Sequence, residues 1–155
     1  MKTFEISAKI TVCSYEELNQ AEKNVIDNAK TACHSAYAPY SQYHVGAAVL
    51  LENGKIITGN NQENIAYPSG LCAERVAVYY ANALFPDVKI KTIAIAAYHQ
   101  GEYVQNISPC GSCRQVLLET ENRFKSPVRI LLYGKNETRI VESVNDLMPL
   151  SFSQF

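Results

Sequence analysis

Three thiols and one carboxylate in this chain have the types and spacing for chemistry: Cys72, Cys110, Cys113 and Glu74. Cys110 and Cys113 form a C-x-x-C, and Cys72 stands well upstream of them. Three thiolates can hold a zinc ion and leave its fourth tetrahedral position open to water, the arrangement of a catalytic zinc rather than a closed structural one. Glu74, two residues after the first thiol, is near enough to reach such a water without ligating the metal. An open zinc, a water and an adjacent carboxylate make up a hydrolytic site. One zinc per chain is the expectation.

Two other uses of the thiols compete with this one. A C-x-x-C can be redox-active, but Pro109-Cys110-Gly111-Ser112-Cys113 belongs to a larger pattern that includes Cys72 and Glu74. A closed structural zinc needs a fourth protein ligand, drawn from Cys13, Cys33, His34, His44 or His99. None of these histidines has metal-ligand spacing with another. Cys13 and Cys33 fall on an expected strand and helix, where a free cysteine is usually a small packed apolar residue.

Both ligand motifs fall at expected helix starts. One helix, over about 71–83, carries Cys72 and Glu74. Ser108 and Pro109 suit the cap and first turn of another, over about 110–122. Helix N-termini aim N–H groups and partial positive charge at the sulfurs, which offsets the excess negative charge of three thiolates on a divalent metal. Arg75 and Arg114, each directly after a ligand motif, are candidates to add hydrogen bonds and charge around the site.

The rest of the chain has to hold these two helix ends together. Phe4, Ile6, Ala8, Ile10 and Val12 alternate with mostly polar residues, which predicts a strand over 3–12. Ser14-x-x-Glu17 reads as a capping box. Leu18, Ala21, Val25, Ala29, Ala32 and Ala36 then recur at helical spacing over about 15–37, and Pro39 stops them. The small residues on that face imply close approach to whatever lies beneath. Asn53-Gly54 between 45–51 and 55–59 is a hairpin signal, and 60–69 reads as a loop. Strands follow over 90–98, 128–133 and 139–141, with a short apolar run ending at Ile107 and a short helix from Ser143 through Met148. Alternating strands and helices predict a layered α/β domain with at least one parallel pairing. One domain covers 1–155, with residues 1–13 as an N-terminal extra strand.

Composition narrows the function. Of 155 residues, 47% are hydrophobic and 19% charged, a globular mixture. Net charge is −1, so the basic footprint of a nucleic-acid binder is missing. The longest apolar runs are too short for a membrane span, and the N-terminus has no signal-peptide pattern. Five cysteines, an odd number, argue against a disulfide framework and for a reducing, cytoplasmic setting.

Cys72-Ala73-Glu74 followed by Pro109-Cys110-Gly111-Ser112-Cys113 fits the three-cysteine form of the zinc-deaminase signature. On these motifs the chain resembles the small homotetrameric cytidine deaminases. The match extends over 36–152 through Ala36-Tyr37-Ala38-Pro39-Tyr40-Ser41, Val45-Gly46-Ala47-Ala48, Asn61-Gln62-Glu63-Asn64, Cys72-Ala73-Glu74-Arg75 and Cys110-Gly111-Ser112-Cys113-Arg114-Gln115. Nothing beyond a helix is matched before Ala36, and the Pro68-Ser69-Gly70-Leu71 run departs from the family pattern.

The resemblance implies a three-layer α/β/α sandwich around a mixed five-stranded sheet, and hydrolytic deamination of cytidine and deoxycytidine in pyrimidine salvage. It implies Glu74 as the proton carrier and Cys72, Cys110 and Cys113 as zinc ligands, with Arg75 and Gln115 beside them. Asn61 and Glu63 would hold the ribose hydroxyls, with Ala73 also on the substrate. Tyr43 stands where the family usually has a pocket phenylalanine. Tyr67 and Phe152 would act on a neighbouring subunit's site in a homotetramer, with Phe152 stacking on the base. Three rivals remain: a non-catalytic zinc module, a polynucleotide-editing deaminase, and a blasticidin-type deaminase. The missing fourth ligand, the net charge and the intact ribose motif argue against them in turn.

Overall fold

Side-chain size decides which helix lies on which face of the sheet. The computed structural model describes residues 1–153. In chain order it contains β1 (Thr11–Cys13), α1 (Gln20–Cys33), β2 (His44–Leu51), β3 (Ile56–Asn60), α2 (Ala73–Leu84), β4 (Ile90–His99), β5 (Glu102–Tyr103), α3 (Gly111–Phe124), β6 (Arg129–Tyr133) and β7 (Thr138–Val141). Short 3₁₀ turns lie at Tyr67–Ser69 and Val144–Leu147. The strands form one sheet in the order β1-β7-β6-β4-β2-β3, with β5 folded back on the end of β4. Among the strands of the described residues, β4 and β6 are the one parallel pair. They are joined through α3, as a parallel crossover requires.

Alternation along the strands splits the apolar residues into two cores. Ala47, Val49, Ile93, Ile95, Ile130 and Leu132 face α2 and α3. Their neighbours Ala48, Ala94, Ala96 and Leu131 face α1. The α1 face is lined by small residues, so that helix lies close. A Cβ on Gly46 would sit 2.0 Å from the carbonyl oxygen of Ala29. The close approach expected from the alanines of α1 is thus observed. On the other face a Cβ on Gly59 would sit 2.5 Å from the backbone nitrogen of Ala77, so β3 and α2 also touch backbone to backbone.

The three-layer α/β/α class holds, but among the described residues the expected five strands become seven: β1 is what remains of the expected N-terminal extra strand, and β5 is too short to show in the sequence pattern. β5 has two residues and β1 three. The expected strand over 3–12 survives only as Thr11–Cys13, paired antiparallel with β7; residues 1–10 form no regular element and lie exposed. The first helix begins at residue 20 rather than 15. Asn19 and Glu22 make the reciprocal capping box, each side chain bonded to the other's backbone N–H at 3.0 Å. Ser14 and Glu17 complete only half of theirs, Ser14 N–H donating to Glu17 at 2.7 Å in the preceding turn. That helix ends at Cys33, ahead of Pro39. Among the described residues no helix is long and apolar enough to cross a membrane.

Candidate active site

Cys72 and Cys110 are the residues that cap α2 and α3, each in extended backbone just before its helix. The cap of α3 is therefore Cys110 itself and not Ser108. Cys113 sits one turn into α3, fully buried. Because α2 and α3 share one face of the sheet, their N-termini meet. Cys72 Sγ lies 3.8 Å from Cys110 Sγ, and Cys110 Sγ 3.5 Å from Cys113 Sγ. Zn–S bonds of ~2.3 Å at tetrahedral angles set sulfurs about 3.8 Å apart. Both printed pairs stand near that spacing and all three sulfurs lie within 4.8 Å of one another, so the group is placed to hold a zinc ion. All five cysteines are free.

Among the described residues these three are the one group of metal-binding side chains brought together. Cys33, offered above as a possible fourth ligand, is buried against the other face, its thiol donating to the carbonyls of Ala96 and Ala29. His34 packs edge-on to Tyr98, and His99 bonds the carbonyl of Gln42 at 2.9 Å. Among the described residues no histidine, carboxylate or further thiol joins the three sulfurs.

Glu74 stands in the first turn of α2 and is 5% exposed. Burial is the main cause that pushes its carboxyl up to about 6, and the negative Cys72 sulfur adds to it. Cys72 is held down to about 5, first by the hydrogen bond from Cys113 and then by Arg75. Cys113 correspondingly keeps its proton, because it donates to Cys72 and is buried. Arg75 reaches Cys72 Sγ at 3.6 Å. Arg114 does not reach the sulfurs. Its guanidinium is spent on the carbonyls of Pro109 at 2.9 Å and Leu147 at 2.8 Å and on Ser108 Oγ at 3.1 Å, which ties down the loop that enters α3. Gln115, expected beside the metal, instead donates to the Phe152 carbonyl at 3.0 Å and so holds the C-terminal segment near α3.

A cavity of about 280 Å³ opens beside the sulfurs and brings Asn61, Glu63, Tyr67, Cys72 and Arg75 to one place. The 60–69 loop is held there by a pair of backbone bonds between Gln62 and Leu71, both 2.9 Å, directly before Cys72. Pro68 and Ser69 lie in the 3₁₀ turn, so the unusual run shapes the cavity wall rather than the ligand set. Asn61 accepts from Val45 N–H at 2.7 Å and donates to the Tyr43 carbonyl at 2.9 Å, leaving one amide hydrogen and one lone pair for a ligand. Glu63 accepts from the backbone of Tyr40 at 2.9 Å and from the Ser41 hydroxyl.

Tyr43 packs its ring on His99 at 5.5 Å. Ala73 is buried in the first turn of α2, beneath the ligands. Tyr67 stands exposed at the cavity rim. Phe152 is also exposed and lies outside the cavity lining. Ser41, to which the sequence reading gave no role, bridges Glu63 and the Tyr43 backbone. Its signal was its place after Pro39-Tyr40, where a hydroxyl can bond a turn.

The comparisons agree with this geometry. Residues 19–126 match the family model described as the cytidine and deoxycytidylate deaminase zinc-binding region. A protein named cytidine deaminase from Sporosarcina psychrophila is 38% identical over 133 residues, covering 85% of this chain and 91% of its own. A second, from Halalkalibacterium halodurans, is 35% identical over 83% of this chain and 92% of its own. Among solved structures, cytidine deaminase from Burkholderia pseudomallei superposes with a TM-score of 0.69 at 34% identity, over 83% of this chain and 97% of that one. That from Mycobacterium tuberculosis gives 0.67 at 31% identity, over 86% and 98%. With its three sulfurs at zinc spacing and its fold shared with these enzymes, the chain belongs to the cytidine and deoxycytidylate deaminase family.

Proposed function

We propose that this chain is a zinc-dependent cytidine deaminase, converting cytidine and water to uridine and ammonia, and that it treats deoxycytidine in the same way. The observation that carries this reading is the three-sulfur cluster with a buried carboxylate in the same helical turn and a nucleoside-sized cavity beside it. When bound, zinc supplies a Lewis acid that makes water reactive near neutral pH. Glu74 takes up the proton released there, delivers it to the ring nitrogen of the base, and carries a second proton to the departing amine. The low exposure of Glu74 keeps those transfers away from bulk solvent.

Asn61 and Glu63 bond the ribose hydroxyls in this reading, the amide and the carboxylate serving as donor and acceptor. Backbone bonds hold both side chains before substrate arrives, which supports that role. A ribose subsite favours a ribose-bearing nucleoside over blasticidin S, whose sugar is not ribose. Arg75 supplies a positive charge that offsets the thiolates. A homotetramer with shared sites is the assembly we infer. It is supported by the exposed Ile65, Tyr67, Tyr79 and Tyr80, large side chains that a single chain leaves exposed. Five free thiols fit a reducing compartment, and product returned as uridine fits pyrimidine salvage.

The test is an ultraviolet assay with cytidine, deoxycytidine, cytosine, dCMP and blasticidin S, alongside metal analysis. Turnover of both nucleosides with about one zinc per chain is expected. Zinc-loaded protein that turns over dCMP alone, or none of the five, would overturn the substrate assignment.

A further inference from the structure

Residues 1–10 carry a strand pattern that a single chain leaves unused. Phe4, Ile6, Ile10 and Val12 are 73%, 53%, 48% and 52% exposed, and their even spacing puts them on one side of the arm once it is extended as a strand. The arm runs directly into β1, which is an end strand of the sheet and pairs with β7 on one side only. Val12 lies opposite Arg139, so the apolar row sits on the face away from α1, where Cys13 packs. An open sheet edge continued by an alternating apolar arm is a template for another strand.

We propose that a second copy of this chain supplies that strand, the two arms pairing antiparallel about Ser7 so that the sheet runs from one copy into the other. The sequence of the arm is complementary to itself in this register. With Ser7 opposite Ser7 of the second copy, Glu5 faces Lys9 and Lys9 faces Glu5, while Phe4 faces Ile10, Ile6 faces Ala8 and Thr3 faces Thr11. Opposite charges and apolar pairs directly across a ladder stabilise it, and like charges do the reverse. The neighbouring in-phase registers lose the charge pairs: Glu5 then faces Ser7 or Thr11. A slip of one residue puts the apolar row against the polar one. The pairing is isologous, so each copy gives and receives the same contacts and the assembly closes as a two-fold pair.

Ser7→Cys in the full-length, zinc-loaded protein tests the register. The paired Ser7 Cα atoms would lie about 5 Å apart, within reach of a disulfide. The two Thr3 positions would lie about 27 Å apart along the arms. Mild oxidation is expected to link most of the Ser7→Cys protein into a dimer joined through the substituted position, identified by peptide mapping, and little of the Thr3→Cys protein. Glu5→Lys is expected to cut the Ser7→Cys yield several-fold, and adding Lys9→Glu to restore it. Cytidine turnover should stay unchanged throughout, since the arm lies outside the site. Equal linking of both positions, or no restoration by the charge swap, would overturn the proposal. So would an arm folded on its own chain or held by another protein, which leaves Ser7→Cys unlinked.

Discussion

Arg75 and Cys72 face each other across one turn of α2, the guanidinium donating to the sulfur at 3.6 Å. Cys72 also has the helix N-terminus beneath it. The two effects act on the same atom: both lower the energy of a thiolate, and both draw electron density away from the metal it would bind. Removing the guanidinium by Arg75→Ala is expected to reduce zinc affinity or cytidine turnover by about 10- to 100-fold. A chelator-competition titration and a steady-state assay separate the two. Wild-type values in both would show the contact to be incidental.

Glu74→Gln keeps the size of the side chain but removes its ability to accept a proton. Turnover should fall by about 10²-fold or more while zinc content stays near one per chain. Cys110→Ala should instead lose the metal, because two thiols remain where three are needed. Stoichiometric zinc in Cys110→Ala would count against the ligand set.

Gly59→Ala tests how the site is positioned. The added carbon would sit 2.5 Å from Ala77 N and 2.8 Å from the Ala73 carbonyl, so the first turn of α2 must shift. A loss of about 2 kcal/mol or more is expected, together with weaker zinc binding. Urea unfolding measured with and without zinc distinguishes a general loss from one concentrated at the site.

Glu121 is a buried carboxylate on α3, eight residues beyond Cys113, and four donors converge on it: Val128 N and Val144 N, each at 2.9 Å, Ser143 Oγ at 2.7 Å and Asn145 Nδ2 at 3.3 Å. It fastens the end of α3 to the start of β6 and to the last 3₁₀ turn. Glu121→Ala strands two backbone N–H groups and should cost about 3 kcal/mol. Glu121→Gln keeps an acceptor for both and should cost less. Equal stability of all three proteins by urea unfolding would contradict this role.

Tyr15 packs edge-on to Tyr133 and donates to Asp27 at 2.8 Å. Its hydroxyl is pushed up to about 12, mainly by burial and then by that hydrogen bond. The unfolded value is about 10. A folded value above the unfolded one means its contribution is whole below about pH 10 and is lost as pH rises through about 12. Tyr15→Phe should therefore melt lower at neutral pH, having lost the Asp27 bond, yet fall less steeply across that alkaline window. Parallel melting curves there would exclude Tyr15 as a source of the alkaline loss.

The sequence by itself determined which three thiols and which carboxylate the fold brings to two helix starts, and most of the elements. Cys72, Glu74, Cys110 and Cys113 were legible because a zinc site needs particular atoms at short, local spacings, and helix starts and the Asn53-Gly54 turn are set by their own residues. Only the tertiary structure decided what depends on distant partners. Arg114 follows its ligand as Arg75 does, but the carbonyl of Leu147 takes it away from the sulfurs. Asn19 caps the first helix in place of Ser14, its capping-box partner Glu22 being held as well by Arg129 on β6. The arm over 1–10 has the alternation of a strand, and that pattern states a preference for a sheet edge without supplying one. A strand needs a neighbour to bond, and within one chain β7 offers its edge only as far as Thr11.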